Sequence, residues 1–531
     1  MKLKYRSRLE QKTQAFSLEK TTRKDIDCIL DGVDIPRPMY SKNWVQESNV
    51  HQAVKLTDSV LTTRNFVGAQ ANIVRDELRK LTYALHIEGD ENYLILSKIK
   101  DSKIVKQSTI DKNVWRSHLA LDKYTGKCSA LYIKTVEQDN RLYLDGKEIQ
   151  TQDSDIDFPY LSFSQLPIGH VPNKPANFIL LSYKSRATGN IYYREVSSVG
   201  IGSEKLLTQK PCIGGGPFAA IGNKVIFHIN LVHNTTYQPA IIESNDGGES
   251  LSDTVPIDLS DLDDEIEFNP EMAAPFVDYS GIIHIPISAQ VGKTIKLIDV
   301  IPQDSTATEM IEMSMYSGVG RVAAVPFPKK ICSTRVLFDS DEIPLVQDWR
   351  FGDGKTDGIG IIGIMLDSGG IYTSNSQSGG ASYPEKTHLN HEMLGISAFA
   401  ATDCYTTGTR PNTVSMDYIF LEAIEKINPY SGELHLETWD MPLPIPEGKA
   451  TLTSNNTVEL TIKNNANFLP GGTSVDIDFK IGKIVEVTLN SERQATIHIE
   501  LLDNNKSLKG ETVSIESKNL FYYHSLSLKI E

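Results

Sequence analysis

Pro217-Phe218-Ala219-Ala220, a turn at Gly222, then Val225-Ile226-Phe227-His228-Ile229: a strand of small residues, a tight turn, and a strand of large apolar residues. The same order recurs outward in both directions. Tyr83-Ala84-Leu85-His86 leads to Tyr93-Leu94-Ile95-Leu96, and His118-Leu119-Ala120-Leu121 leads through Gly126 to Ala130-Leu131-Tyr132-Ile133. Tyr160-Leu161-Ser162-Phe163 leads to Phe178-Ile179-Leu180-Leu181, and Met272 to Asp278 leads through Gly281 to Ile282-Ile283-His284-Ile285. Arg321-Val322-Ala323-Ala324-Val325 leads to Arg335-Val336-Leu337-Phe338, and Ile396-Ser397-Ala398-Phe399-Ala400 leads to Tyr418-Ile419-Phe420-Leu421.

Small residues in a first strand suit the crowded centre of a radial array, and large ones in the next fill the space between neighbouring sheets. That order predicts an all-β chain built on a six- or seven-bladed β-propeller. A pair of ordinary β-sandwich domains would account for the strands but not for their repeated order. The expected layout is an N-terminal, partly helical extension over 1–80, the propeller over 81–442 and a C-terminal β-sandwich over 443–531. In the extension, Leu9 to Asp31 is read as one or two short helices before the Pro36 and Pro38 break, and Ala69, Ile73, Val74 and Leu78 are roughly helically spaced. The sandwich is read from alternating strands after the Pro442, Pro444 and Pro446 connector, from Ala450-Thr451-Leu452-Thr453 to Ser525-Leu526-Ser527-Leu528-Lys529-Ile530.

The chain has 531 residues, too many for one ordinary core, and 23% charged residues with a net charge of -15. That balance argues against nucleic-acid binding, which needs a concentrated basic face. Five scattered cysteines without C-x-x-C spacing read as buried or incidental thiols. The start, Met1 to Arg8, is charged with no apolar run behind it. No secretory signal and no membrane span are seen, so the expected location is the cytoplasm, or a virion or the cell exterior by a non-classical route, unless a signal has already been removed.

Within the strand pattern a phrase occurs twice: Ser244-Asn245-Asp246-Gly247-Gly248-Glu249-Ser250-Leu251 and Ser376-Gln377-Ser378-Gly379-Gly380-Ala381-Ser382-Tyr383. The short oxygen-bearing side chains accept bonds from following backbone N–H groups, and glycine supplies positive φ, so each copy predicts a turn. Together with Phe178 to Tyr183 and Gly189-Asn190-Ile191-Tyr192-Tyr193-Arg194-Glu195, the phrase resembles the blades of sialidase-like, Asp-box (BNR-repeat) propellers. Ser244, Asp246 and Gly248 match the Asp-box; Ser250 replaces Thr, Leu251 replaces Trp, and Ser378 stands where Asp is expected in the second copy. The resemblance implies the propeller fold. Such a box is a structural staple and assigns no activity.

True sialidase chemistry would need a three-arginine clamp, a Tyr–Glu nucleophile pair and an Asp acid. No phrase here supplies the nucleophile, and Ile35-Pro36-Arg37-Pro38 has the clamp motif in the wrong order. Arg116, Arg321, Arg350 and Arg410 lie near strand starts or in long loops and are candidates to bind an acidic sugar bidentately; the commoner role for each is a surface ion pair. Trp115-Arg116-Ser117-His118 is the best local candidate for glycosidase or polysaccharide-lyase chemistry. His118 would move a proton, Arg116 would neutralise a uronate, and Trp115 would stack on a sugar; Glu271 is a candidate acid. Against this, His118 also reads as an ordinary core histidine, and Glu392 is equally ambiguous. His86, His118, His228 and His284 are not equivalent along their strands, and His388 and His391 lack a third ligand. No metal and no cofactor are therefore expected. The acidic run Asp258 to Glu265 reads as a solvated loop.

Two function classes follow: a glycan-recognising propeller, as an enzyme or a binding protein for an acidic sugar polymer, or a structural or receptor-binding component of a phage virion or similar assembly. The expected partner is a glycan or polysaccharide, with protein assembly through either terminal region in the second case.

Overall fold

A computed structural model describes backbone and side chains chiefly over 72–164, 176–262 and 282–309, with shorter stretches at 55–57, 415–419, 433–440, 448–461, 507–512 and 527–531, and the backbone of the strands named below. The regular elements among the described residues are strands, with one short 3-10 turn, Pro302–Asp304, as the exception. No helix among them is long and apolar enough to cross a membrane.

Seven sheets follow one another among the described strands between residues 73 and 442. Sheet 1 runs Ile73–Asp76, Leu81–Glu88, Tyr93–Lys100 and Lys103–Asp111, and sheet 2 runs Val114–Leu121, Cys128–Val136, Asp139–Leu144 and Lys147–Ile149. Sheet 3 has Ile156–Ser164, Phe178–Ser185 and Ile191–Ser197, with Gly200–Ile201 and Lys205–Thr208 on its outer side. Sheet 4 starts with the interrupted pair Cys212–Ile213 and Phe218–Ile221, followed by Lys224–His233, Thr236–Ser244 and Val255–Asp258. Sheet 5 starts with Glu267–Met272 and Phe276–Val277, followed by Ile283–Val291, Thr294–Ile301 and Thr306–Ser314. Sheet 6 is Val322–Pro328, Ile359–Asp367, Gly370–Ser376 and Glu385–Leu389; sheet 7 is Ile396–Ala401, Thr413–Ala423 and Ser431–Pro442.

The first strands touch in sequence around a ring. Val114–Leu121 packs on Ile73–Asp76 and on Ile156–Ser164, which packs on Phe218–Ile221, and that strand packs on Phe276–Val277. Val322–Pro328 continues the ring to Ile396–Ala401, which returns to Ile73–Asp76. Consecutive meandering sheets joined through their first strands into a closed ring make a β-propeller.

Separate apolar cores fill the wedges between neighbouring sheets, as the strand order requires. Leu85, Leu94, Leu119 and Tyr132 form the core between sheets 1 and 2, and Ile133, Leu142, Leu161 and Tyr183 that between sheets 2 and 3. Leu180, Tyr193, Phe218 and Phe227 fill the wedge between sheets 3 and 4, and Ile226, Ile241, Ile285 and Ile298 the next. The small Ala219 and Ala220 sit where the wedges narrow, each buried against a different neighbour.

The N-terminal segment is woven into this ring. Leu3–Lys4 adds in parallel to the outer edge of sheet 4 and Arg6–Ser7 to that of sheet 5. Val54–Lys55 and Leu61–Thr62 pair antiparallel with Ser431–Pro442 and complete sheet 7. The helical spacing read at Ile73 and Val74 is overruled, because these residues lie in a strand paired with Leu81–Glu88. Tyr83 to His86 is accordingly a second strand, not a first. The helices expected over Leu9 to Asp31 fall largely outside the described residues. Arg335 to Phe338 is not the second strand of its unit either. It lies in an inserted hairpin, Cys332–Phe338 with Pro344–Arg350, and the true partner of Val322–Pro328 is Ile359–Asp367.

The C-terminal region forms a four-stranded sheet, Glu447–Ser454, Thr457–Lys463, Gln494–Leu501 and Gly482–Ser491, and a three-stranded sheet, Val475–Asp478, Thr512–Lys518 and Tyr523–Lys529. A parallel bridge from Ala450 to Ile530 joins them.

The repeated phrase occupies the same topological place in two sheets, between the third and fourth strands of sheets 4 and 6. In the first copy Ser244 Oγ accepts from Gly248 N at 2.8 Å, and Asp246 accepts from Ser250 N at 2.9 Å and Ser250 Oγ at 2.5 Å. Gly247 and Gly248 both take positive φ, at 80° and 92°. Tyr193 Oη and Lys205 Nζ of sheet 3 donate to Gly248 O, and Leu251 packs on the core between sheets 3 and 4. The turn is a staple between two sheets. The second copy's side chains lie outside the described residues.

Candidate functional site

The first strand of sheet 2 begins beside the turn between the second and third strands of sheet 1, where Asn113 N donates to Glu91 O at 2.8 Å and Val114 N to Asn92 O at 3.1 Å. A bulge between Val114 and Arg116 breaks the strict alternation of the strand. It lets two consecutive residues, Trp115 and Arg116, both address sheet 3. Sheet 3 answers with a bulge of its own between Asp157 and Tyr160. There Phe158 holds φ at 52°, a left-handed conformation unusual for an aromatic residue and one that precedes Pro159. Gly215 makes this geometry possible: a Cβ at that position would stand 2.2 Å from Phe158 O.

The two bulges bring together a compact group. Asp157 is buried and lies between two guanidinium groups. Arg116 Nε stands 2.9 Å from Asp157 Oδ1, and Arg186 Nη2 and Nε stand 3.0 and 3.2 Å from Oδ2. The Arg116 guanidinium lies 4.2 Å from the Phe158 ring centroid and 4.9 Å from that of Trp115; Arg186 lies 4.5 Å from Trp115. Each contact is in cation–π range. Both guanidinium groups converge on this one carboxylate. Arg116 is 16% exposed and Arg186 40%, so the outward cation is Arg186. Arg186 Nη1 has no acceptor among the described residues.

Two residues on from Arg116, and therefore on the same strand face, His118 is buried with its ring 5.3 Å from Tyr160. Its Nδ1 has no hydrogen-bond partner among the described residues. Burial pushes the imidazole down to about 3, so it is neutral at ordinary pH. Trp115 Nε1 is buried with no hydrogen-bond partner among the described residues, and its ring already carries both guanidinium groups.

Of the residues singled out in the sequence, the structure thus brings Trp115, Arg116 and His118 to one strand. Glu271 lies in the first strand of sheet 5 and Arg350 at the end of the inserted hairpin, with their side chains outside the described residues; Arg321 and Arg410 lie outside them altogether. Asp157, Phe158 and Arg186 went unnoticed in the sequence. The available signal was positional: Asp157 heads the first strand of sheet 3, as Arg116 heads that of sheet 2.

His86, His228 and His284 lie on second strands and His118 on a first strand. His284 is spent on Asp299, with Nδ1 2.9 Å from Oδ2, beneath Phe276. Among the described residues no group of three or more His, Cys, Asp or Glu side chains could hold a metal ion.

No family model matches the chain, and no curated protein matches it. Among solved structures, an oligogalacturonate lyase from Vibrio parahaemolyticus superposes with a TM-score of 0.41 at 9% identity, covering 74% of this chain and 96% of its own. An ulvan lyase gives 0.38 at 11% identity, with 74% and 96% covered, and a luciferin-regenerating enzyme gives 0.31 at 10%, with 73% and 95% covered. Superpositions this loose, at such identities, assign neither an activity nor a site to this chain.

Proposed function

We propose that the chain is a seven-bladed propeller that recognises an acidic glycan at the heads of sheets 2 and 3. The observation that carries this reading is the half-exposed Arg186 guanidinium, fixed in place by Asp157 and Trp115 and still offering Nη1 outward. A planar guanidinium held by two partners has lost most of its freedom before a ligand arrives, so a carboxylate meets a preorganised donor. In this reading Trp115 serves as the arginines' platform rather than as a sugar-stacking ring. Recognition rather than turnover suits His118, because a buried imidazole near 3 is a weak base at neutral pH. Arg321, Arg350, Arg410 and Glu271 remain candidates for the rest of the glycan path.

The test is retention of the protein on polygalacturonate against neutral dextran, with Arg186→Gln beside the parent, while ultraviolet absorbance follows any unsaturated uronate. Retention on the acidic polymer alone, lost in the variant and without product, is expected. Equal retention of variant and parent would remove the site, and product formation would make the chain a lyase.

A second reading, as a structural or receptor-binding component of an assembly, draws on the N-terminal strands laid along the outer edges of sheets 4 and 5. Strand addition of this kind joins separate chains as readily as parts of one.

A further inference from the structure

The outer hairpin of sheet 1 carries an arrangement that the fold does not require. Strands Tyr93–Lys100 and Lys103–Asp111 meet at a two-residue turn, with Lys103 directly opposite Lys100. A bulge at Val105 then shifts the register so that Lys106 falls directly opposite Lys98. Without the shift Lys106 would face Ser97, on the other side of the sheet. The four lysines therefore share one face, in two directly opposed like-charge pairs. Such pairs destabilise a hairpin, because side chains directly opposite stand only about 5 Å apart.

Lys100, Lys103 and Lys106 are exposed, and none has an acidic partner among the described residues; Lys98 lies half-buried, 6.0 Å from the centroid of the Tyr83 ring. Guarding the sheet edge explains lysines on the outermost strand, Lys103 and Lys106. It does not explain Lys98 and Lys100 opposite them on the inner strand. In a chain of net charge -15 this is a local reversal of sign.

We infer that this face is an anion-binding surface whose partner is an acidic polysaccharide chain. Paired rows of point charges follow a chain of repeated carboxylates or sulfates. Tyr83 stands directly opposite Lys98 on the neighbouring strand with its ring facing the Lys98 ammonium, and among the described residues the lysine face has no further ring to stack on a nucleic-acid base. The lysine face rests on the reading that the ligand is an acidic glycan but shares no residue with the arginine site. It flanks the turn that ends the third strand, at the opposite end of the sheets from Asn113 and Arg116. It would hold a polymer at a second point, where two attachments raise avidity beyond either alone.

The test is affinity electrophoresis through gels containing polygalacturonate or heparin, over a series of salt concentrations, with dextran as the neutral control. The Lys103→Gln, Lys106→Gln double variant is expected to bind about tenfold more weakly with a shallower salt dependence. Its thermal midpoint should be unchanged or raised, because two repulsions are removed. The double Arg variant at the same positions should keep both binding and salt dependence. Arg186→Gln should keep the lysine-dependent part of the salt slope, so failure of the arginine site and failure of this one give different patterns. Identical binding and slope in the parent and the Gln variant would overturn the proposal. So would lysine-dependent binding to anionic lipid vesicles or to single-stranded DNA with none to either polysaccharide.

Discussion

Arg75 Nη1 stands 3.7 Å from Asp417 Oδ2, and this pair ties the first strand of sheet 1 to the second strand of sheet 7 where the ring closes. Asp417 is buried and Arg75 nearly so. Thr82 Oγ1 donates to Asp417 and accepts from Arg75 at 2.9 Å, and Thr438 Oγ1 donates to Asp417 Oδ1 at 2.7 Å. Closure therefore rests on a connected polar group as well as on Ile73, Ile419 and Leu436 in the adjoining apolar core. Asp417→Ala would remove the carboxylate on which Arg75, Thr82 and Thr438 converge and is expected to cost about 3–5 kcal/mol in urea unfolding. Thr438→Val, which removes one donor, should cost about 1 kcal/mol. If the two substitutions cost the same, the charge has no special role in closing the ring.

The staple turn gives a pH-dependent prediction. The Ser250 hydroxyl and N–H and the Ser244 hydroxyl all donate to Asp246 and hold its carboxyl well below the usual carboxylate range. A depressed folded-state value means that the carboxylate's contribution is complete above the unfolded value of about 4 and fades as pH falls below it. Asp246→Ala should therefore lower the thermal midpoint at pH 7, and the gap from the parent should shrink steadily below pH 4. A constant gap from pH 7 to pH 2 would show that the ionised carboxylate is not what stabilises the turn.

The ring of sheets was legible in the sequence because alternation and residue size act strand by strand. Phe218 to Ile229 reports a small first strand and a large second one without reference to anything distant. The use of residues 54–62 to finish sheet 7 depends on residues more than 300 positions away, which no local period encodes. The inserted hairpin at Cys332–Arg350 misled for the opposite reason: its strands carry a good local pattern but belong to no sheet of the ring. At the candidate site, Trp115 and Arg116 were visible as unusual residues at a strand head. Asp157 and Arg186 became partners only through two bulges and a left-handed Phe158, and backbone irregularities leave little trace in side-chain periodicity.

Gly215 supports the arginine site without touching an arginine. A methyl group there would meet Phe158 O at 2.2 Å and Phe158 Cβ at 2.5 Å, both on backbone-fixed atoms that cannot swing aside. Gly215→Ala should force the bulge at Phe158 to move, at about 1–3 kcal/mol. The displacement would carry Asp157 with it, so the Arg186-dependent retention on polygalacturonate should fall together with the thermal midpoint. A Gly215→Ala protein with a lowered midpoint and undiminished retention would separate the bulge from the binding site.

His118 supplies the opposite sign of pH dependence from a basic residue that gains an acidic partner. Its folded-state value, near 3, lies below the ordinary histidine value of about 6.5 because burial disfavours the imidazolium. Between these values the unfolded chain binds a proton that the folded chain does not, so stability rises with pH across that window. It is complete above about 6.5 and is lost by about 1.4 kcal/mol for each unit of pH below it, until the folded value is reached. His118→Leu removes this titration and keeps an apolar side chain against Tyr160. The variant's unfolding free energy should therefore fall less steeply than the parent's between pH 6.5 and pH 4. Parallel pH profiles would mean that His118 takes up a proton inside the folded protein, which would restore it as a candidate for proton transfer and favour an enzyme over a binding protein.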